Sequence, residues 1–112
     1  MTALAVLDIG KTNVKLVAFS DTGALLAEKR TTQKVALRDG LKTFDVDALE
    51  QWLRPNLAEL QAAHAITGLM ISTHGCCSAL VGEQGLLAPI IDYEQELDAP
   101  TRTAFDAISP PF

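Results

Sequence analysis

The sequence predicts an α/β protein, a mixed sheet with helices packed against it. Three observations carry that expectation. The run Leu4-Ala5-Val6-Leu7 is short and continuously apolar, as in a strand buried on both faces. Two more strand-like runs follow it through short turns, which makes an antiparallel meander. A helical pattern then leads to a further apolar run, Gly68-Leu69-Met70-Ile71-Ser72. A helical crossover lets that strand lie parallel to the first.

The first run ends in the polar stretch Asp8-Ile9-Gly10-Lys11-Thr12-Asn13. Val14 to Phe19 resumes as a second strand, with Lys15 set among apolar residues. Ser20-Asp21-Thr22-Gly23 has turn chemistry, and Ala24 to Thr32 forms a third strand that becomes polar and β-branched toward its end. Residues 33–43 read as a connection. Asp45 is a helix N-cap, and Phe44 and Leu49 stand at the two positions of a hydrophobic staple. Apolar residues at 46, 49, 52, 53, 57, 60 and 63 keep a helical period. Pro55 removes one backbone donor from that pattern, yet the period carries through it, so one kinked helix is expected rather than two. Past the fourth strand, Cys76 to Val81 and Leu86 to Ile91 flank Gly82-Glu83-Gln84-Gly85 as a second hairpin. Residues 94–107 read as a polar, acidic helix broken by Pro100. The chain closes on Ser109-Pro110-Pro111-Phe112, an unusual natural terminus.

At 112 residues the chain amounts to one small domain or part of one. Its apolar fraction is 48% and its charged fraction 21%, enough for a packed core and against wholesale disorder. No apolar run approaches the ~18–20 residues of a membrane span. The opening residues lack a basic region before their apolar run, so no secretory signal is expected and cytoplasmic residence is. Cys76 and Cys77 are adjacent, which suits reduced thiols rather than a disulfide framework. The net charge of −5 argues against a nucleic-acid partner. That charge is uneven, at +3 over residues 1–44 and −8 over residues 45–112. Solvated faces account for such a skew; the sharper reading is an anion site in the first third.

Gly10-Lys11-Thr12 invites a P-loop reading, which fails. The required glycine five residues earlier is Ala5, and a strand follows where a helix is needed. A phosphate-binding hairpin fits better. Gly10 would let backbone approach an anion, Thr12 and Asn13 offer donors, and Lys11 and Lys15 supply positive charge. Asp8, at the end of a buried strand, can hold Mg²⁺. Equally, Asp8 and Asn13 can close a hairpin through side-chain–backbone bonds. His74, after Thr73 at the end of the fourth strand, reads either as a satisfied structural imidazole or as a partner for a ligand hydroxyl. The ends of the first and fourth strands would share one edge, where open α/β sheets bind ligands. His74 with Cys76 and Cys77 is not read as a metal site, since adjacent strand residues point to opposite faces. Trp52 belongs to the helix core. Asp92-Tyr93-Glu94 would line a polar pocket or begin a helix.

Leu7-Asp8-Ile9-Gly10-Lys11-Thr12-Asn13-Val14-Lys15 resembles the first phosphate motif of the FGGY carbohydrate kinases, written Asp-x-Gly-Thr-Thr-x-x-Arg, within the actin/Hsp70/sugar-kinase superfamily. The Thr-Asn-Val-Lys end looks most like fuculokinase-type members. Met70-Ile71-Ser72-Thr73-His74-Gly75 resembles the xylulokinase segment Ser-Gly-Gln-Met-His-Gly, and Pro89-Ile90-Ile91-Asp92 resembles the stretch after it. The resemblance covers most of residues 4–95. It implies an incomplete ribonuclease-H-like (actin-like) domain and ATP-dependent phosphorylation of a ketose or deoxyketose hydroxyl. Carried onto this chain, Asp8 would serve Mg²⁺. Gly10, Lys11, Thr12, Asn13 and Lys15 would cradle ATP phosphates, while Thr73, His74 and Asp92 would meet the sugar. Lys11 departs from the family's Thr, and Lys15 from its Arg, which loses a bidentate contact. Family members are several times longer, with their catalytic base near the end of the first domain and an adenosine pocket in a second. Residues 1–112 would then be the N-terminal portion of the first domain, inactive alone, whose partners are ATP, the sugar and the rest of the kinase. A homo-oligomer stays open. The alternatives are a truncated, non-catalytic sugar- or phosphate-binding or partner module, and a two-metal nuclease of ribonuclease-H fold. The nuclease lacks a second convincing carboxylate at a strand end.

Overall fold

The opening meander forms as three antiparallel strands, β1 (Ala3–Ile9), β2 (Asn13–Ser20) and β3 (Leu25–Thr32). The computed structural model describes residues 2–111, so Met1 and the unusual closing Phe112 lie outside the described residues. Next come β4 (Val35–Arg38) and β5 (Leu41–Phe44), a separate two-stranded ribbon. The helix α1 (Val46–Ala63) runs as one element through Pro55, and the Asp45 side chain accepts the Ala48 N–H at 2.9 Å as its N-cap. β6 (Ile66–Thr73) returns parallel to β1, giving the order β3-β2-β1-β6. β7 (Val81–Gly82), β8 (Gly85–Leu86) and α2 (Ala99–Ile108) complete the described elements.

Strand pleating decides which residues are covered. Ala5 and Leu7 of β1 and Val14, Leu16 and Ala18 of β2 turn toward α1 and bury with Leu60. Leu49, Trp52, Leu53 and Leu57 of α1 pack on that layer. Lys29 of β3 reaches Glu59 of α1 at 2.8 Å, tying the far strand to the helix. The other end of the sheet is bare. β6 ends the sheet and leaves Leu69, Met70 and Ile71 41–65% exposed. α2 has no buried residue, and Phe105 and Ile108 on it face solvent.

Three expectations need correction. Residues 33–43 are not a plain connection but contain most of the β4–β5 ribbon. Its two-residue turn is Asp39-Gly40, both at positive φ (53° and 77°), the chemistry that a tight hairpin of matching twist requires. The hairpin of 76–91 pairs only Val81 with Leu86 and Gly82 with Gly85; Ile91 instead bridges to Thr43 of β5. The last helix begins at Ala99, not at 94, and Pro100 does not break it. Proline in a first turn lacks only an N–H that has no helical acceptor there, and the Asp98 side chain caps Thr101.

Candidate functional site

The β1–β2 turn is closed by the Gly10 N–H, which donates to the Asn13 carbonyl at 2.8 Å. A Cβ on Gly10 would lie 2.8 Å from that same oxygen, so the turn excludes any side chain there. The Gln33 N–H donates to the Thr12 carbonyl at 2.7 Å and braces the tip from the end of β3. Among the described residues, Lys11 and Thr12 do not spend their own N–H groups on the backbone. Asp8 and Lys15 stand directly opposite each other, carboxylate to ammonium 3.7 Å, and both are well exposed. Such a pair contributes little, which leaves both groups available to a ligand. Ser72 opposes Asp8 from β6.

The parallel register sets Thr73 opposite Ile9, and the His74 N–H donates to the Ile9 carbonyl at 3.4 Å. The hairpin tip and the Thr73-His74 step therefore share one edge. The segment around Asp92 is laced onto β5. The Phe44 N–H donates to the Ile90 carbonyl and the Asp92 N–H to the Lys42 carbonyl, each at 2.9 Å, while the Lys42 N–H donates to the Gln95 side chain at 2.7 Å. Asp92 is buried and is satisfied on both oxygens. Oδ1 accepts the Glu94 N–H at 2.9 Å, and Oδ2 meets the Lys11 ammonium at 2.5 Å. The Lys11 ammonium, with the Glu94 N–H, holds the Asp92 carboxyl below the ordinary carboxylate range. Asp92 in turn raises the Lys11 amine above its usual value. The same ammonium lies 5.7 Å from the Phe44 ring and 5.6 Å from the Tyr93 ring. Those two rings flank His74 at 5.5 and 5.4 Å, and His74 Nδ1 is buried with no hydrogen-bond partner among the described residues. Burial pushes the Tyr93 hydroxyl up.

The candidate residues thus fall into two groups at one edge. Asp8, Gly10, Thr12, Asn13 and Lys15 make the tip. Lys11, His74 and Asp92 make a cluster beside it, with the Thr73 hydroxyl only 3.4 Å from the His74 carbonyl. The two lysines of the motif diverge, Lys15 toward Asp8 and Lys11 toward Asp92. Phe44, expected only as a helix staple, is also a wall of the cluster. No spacing signal joins it to residues 30–50 positions away. A cleft of about 320 Å³ lies beside it, lined by Arg38, Phe44 and residues 86–90, and does not include Asp8 or His74.

No family model and no curated protein matches this sequence. Solved structures do. A carbohydrate kinase from Novosphingobium aromaticivorans is 26% identical, with a TM-score of 0.88 over 96% of this chain and 23% of its own. The chain resembles the FGGY-type carbohydrate kinases. A xylulose kinase from Rhodospirillum rubrum (18% identity, TM-score 0.74) shares the fold over 96% of this chain and 24% of its own. The glycerol kinase of Plasmodium falciparum, solved with ADP, does so at 12% identity and TM-score 0.67, over 98% of this chain and 24% of its own. The chain spans about a quarter of the length of these kinases. No helix among the described residues is long and apolar enough to cross a membrane.

Proposed function

We propose that residues 1–112 are the N-terminal portion of the first, ribonuclease-H-like domain of a two-domain, cytoplasmic, ATP-dependent carbohydrate kinase. Its acceptor would be a hydroxyl of a ketose or deoxyketose. The observation that carries this reading is the shared edge, where a glycine-dependent hairpin tip beside Asp8 adjoins the strand end bearing His74. The likeness to the Novosphingobium aromaticivorans carbohydrate kinase supports it. So does the unfinished surface. The accessible area is 8041 Å², where a finished protein of this mass exposes about 6,000 Å². The radius of gyration is 18.0 Å, against about 13 Å for a compact domain of this length.

In this proposal Gly10, Thr12, Asn13 and Lys15 cradle the ATP phosphates, and Thr73, His74 and Asp92 line the sugar side. The donor set suits Mg²⁺, which takes one or two carboxylates and completes its shell with phosphate and water. Asp8 is such a single carboxylate, and among the described residues no group of three or more His, Cys, Asp or Glu is placed to hold a metal ion by itself. Bound there, MgATP would supply the transferable phosphoryl group. Asp8 would orient the cation, the tip donors and Lys15 would meet phosphate charge, and His74 would hold a sugar hydroxyl. The general base would lie outside this chain.

The test is ADP release by the full natural polypeptide on a panel of ketoses and deoxyketoses. Turnover is expected there, and none above background from the 112-residue chain. Asp8→Asn should lower kcat more than it raises the sugar KM. Robust ADP release by the pure chain overturns the partial-domain reading, and wild-type kcat in Asp8→Asn removes the metal assignment. A non-catalytic sugar- or phosphate-binding module is the other outcome of that test. Sugar or phosphate binding without ADP release from the full natural polypeptide would select it.

A further inference from the structure

We infer that Lys11 is a positioning residue for the sugar side of the edge, not the phosphate ligand its place in the motif implies. The inference rests on the kinase reading above. It starts from the two lysines of the tip. Lys15 meets Asp8 at 3.7 Å with both side chains well exposed, so an arriving phosphate can recruit it at small cost. Lys11 is committed elsewhere. Its ammonium lies 2.5 Å from an Asp92 side chain that is only 1% exposed and 3.6 Å from Glu94. Drawing Lys11 away to a phosphate would strand a buried carboxylate without its cation, the costly half of breaking any buried pair.

The same ammonium holds three separate stretches of chain together. It belongs to the hairpin tip, it bonds the 92–94 segment, and it lies over Phe44 at the end of β5 and over Tyr93. Those two rings are the walls of His74. A histidine is ordinarily oriented by a hydrogen bond at one nitrogen, but Nδ1 of His74 has no partner among the described residues. Ring packing against Phe44 and Tyr93 sets its orientation instead. Lys11, by fixing those rings and Asp92, fixes the direction of the imidazole.

Residues 1–112 carry two histidines, and the test is run on the full natural polypeptide with their ring signals assigned by replacing each in turn. His74 follows β6 at this edge, and His64 caps α1 at the opposite end of β6 and reports on the fold as a whole. With ¹³C-labelled histidine, Lys11→Met and Asp92→Asn should each move the His74 ring signals in the same direction. The double variant should move them no further, and His64 should stay in place. Lys11→Arg, which keeps the cation, should return the His74 signals toward wild type. Pyrophosphate, followed on the amides of Gly10, Thr12 and Asn13, should bind Lys11→Met as it binds wild type. It should bind Lys15→Met about tenfold more weakly, the worth of one charge-assisted hydrogen bond. A comparable loss in Lys11→Met, or His74 signals unmoved in both single variants, overturns the inference. Should Lys11→Met also shift His64, Asp92→Asn, which preserves side-chain shape, decides alone. Pyrophosphate that moves no tip amide in any variant would count against the kinase reading, while the His74 signals still decide what Lys11 does.

Discussion

Residues 3–63 and residues 64–111 are held by different forces. The first stretch closes over an apolar layer of Ala5, Leu7, Val14, Leu16, Ala18 and Leu60. In the second, the one buried residue among those described is a carboxylate, Asp92. Beyond the β1–β6 ladder and the packing of Ile66 on that layer, its attachment to the first stretch is mostly polar. Backbone bonds join residues 90–92 to β5, the Gln95 side chain and the Lys11–Asp92 pair add to them, and one ring contact sets His74 against Phe44. The contrast teaches that the two stretches should answer to different perturbations, the first to lost volume and the second to lost charge. It also gives the charge skew of the sequence a structural outlet, since a basic residue of the first third reaches an acidic one of the last.

The largest effect should come from Leu16→Ala. Leu16 is fully buried, so about 3 kcal/mol of stability should be lost in denaturant unfolding. A loss under about 1 kcal/mol would mean the β1–β2–α1 layer collapses freely, and the contrast with the second stretch would fail. Gly10→Ala should rank next, at about 1–3 kcal/mol. The obstacle it meets is backbone, the Asn13 carbonyl, rather than a flexible side chain. Amide exchange should place its damage at the tip and not in α1.

Acid should loosen residues 90–95 selectively. The Asp92 carboxyl titrates below its ordinary 3.8 when folded, so its contribution is whole above that value and fades as pH falls through the lowered one. Lys11 titrates above 10.5, so its contribution is whole below that value and is lost only as pH rises past it. Between about pH 4 and 10 the attachment should therefore be flat. Faster amide exchange in 90–95 below pH 4, ahead of β1 and β2, is expected; simultaneous loosening of both regions would break the distinction. The smallest effect should come from Ile71→Ala on exposed β6, within about 0.5 kcal/mol in this chain. A cost near that of Leu16→Ala would show β6 to be covered in solution.

The pattern of legibility follows the same divide. β1, β2, β3, α1 and β6 could be read because local period and turn chemistry agree with the packing they enter. The Asp45 cap and the shared edge of Gly10 and His74 followed from that topology. The β4–β5 ribbon was legible in principle from Asp39-Gly40, but its strands are only four residues long and too short to show alternation. The expected strands at 76–91 had apolar composition without partners, so only two pairs form. The Lys11–Asp92 pair spans 81 residues of sequence. No periodicity carries across such a distance, and each residue looked instead like a ligand contact in its own motif.

In the 112-residue chain by itself, the open edge of β6 gives the folded state a bimolecular weakness. Its outer backbone groups and the exposed Leu69, Met70 and Ile71 present a template on which a second sheet can continue the ladder. The folded chain is then itself the sticking species, and aggregation proceeds without unfolding. Tightening the core around Leu16 would raise the melting temperature and leave shelf life in solution untouched. Dilution, or a charge placed on that edge, would lengthen it.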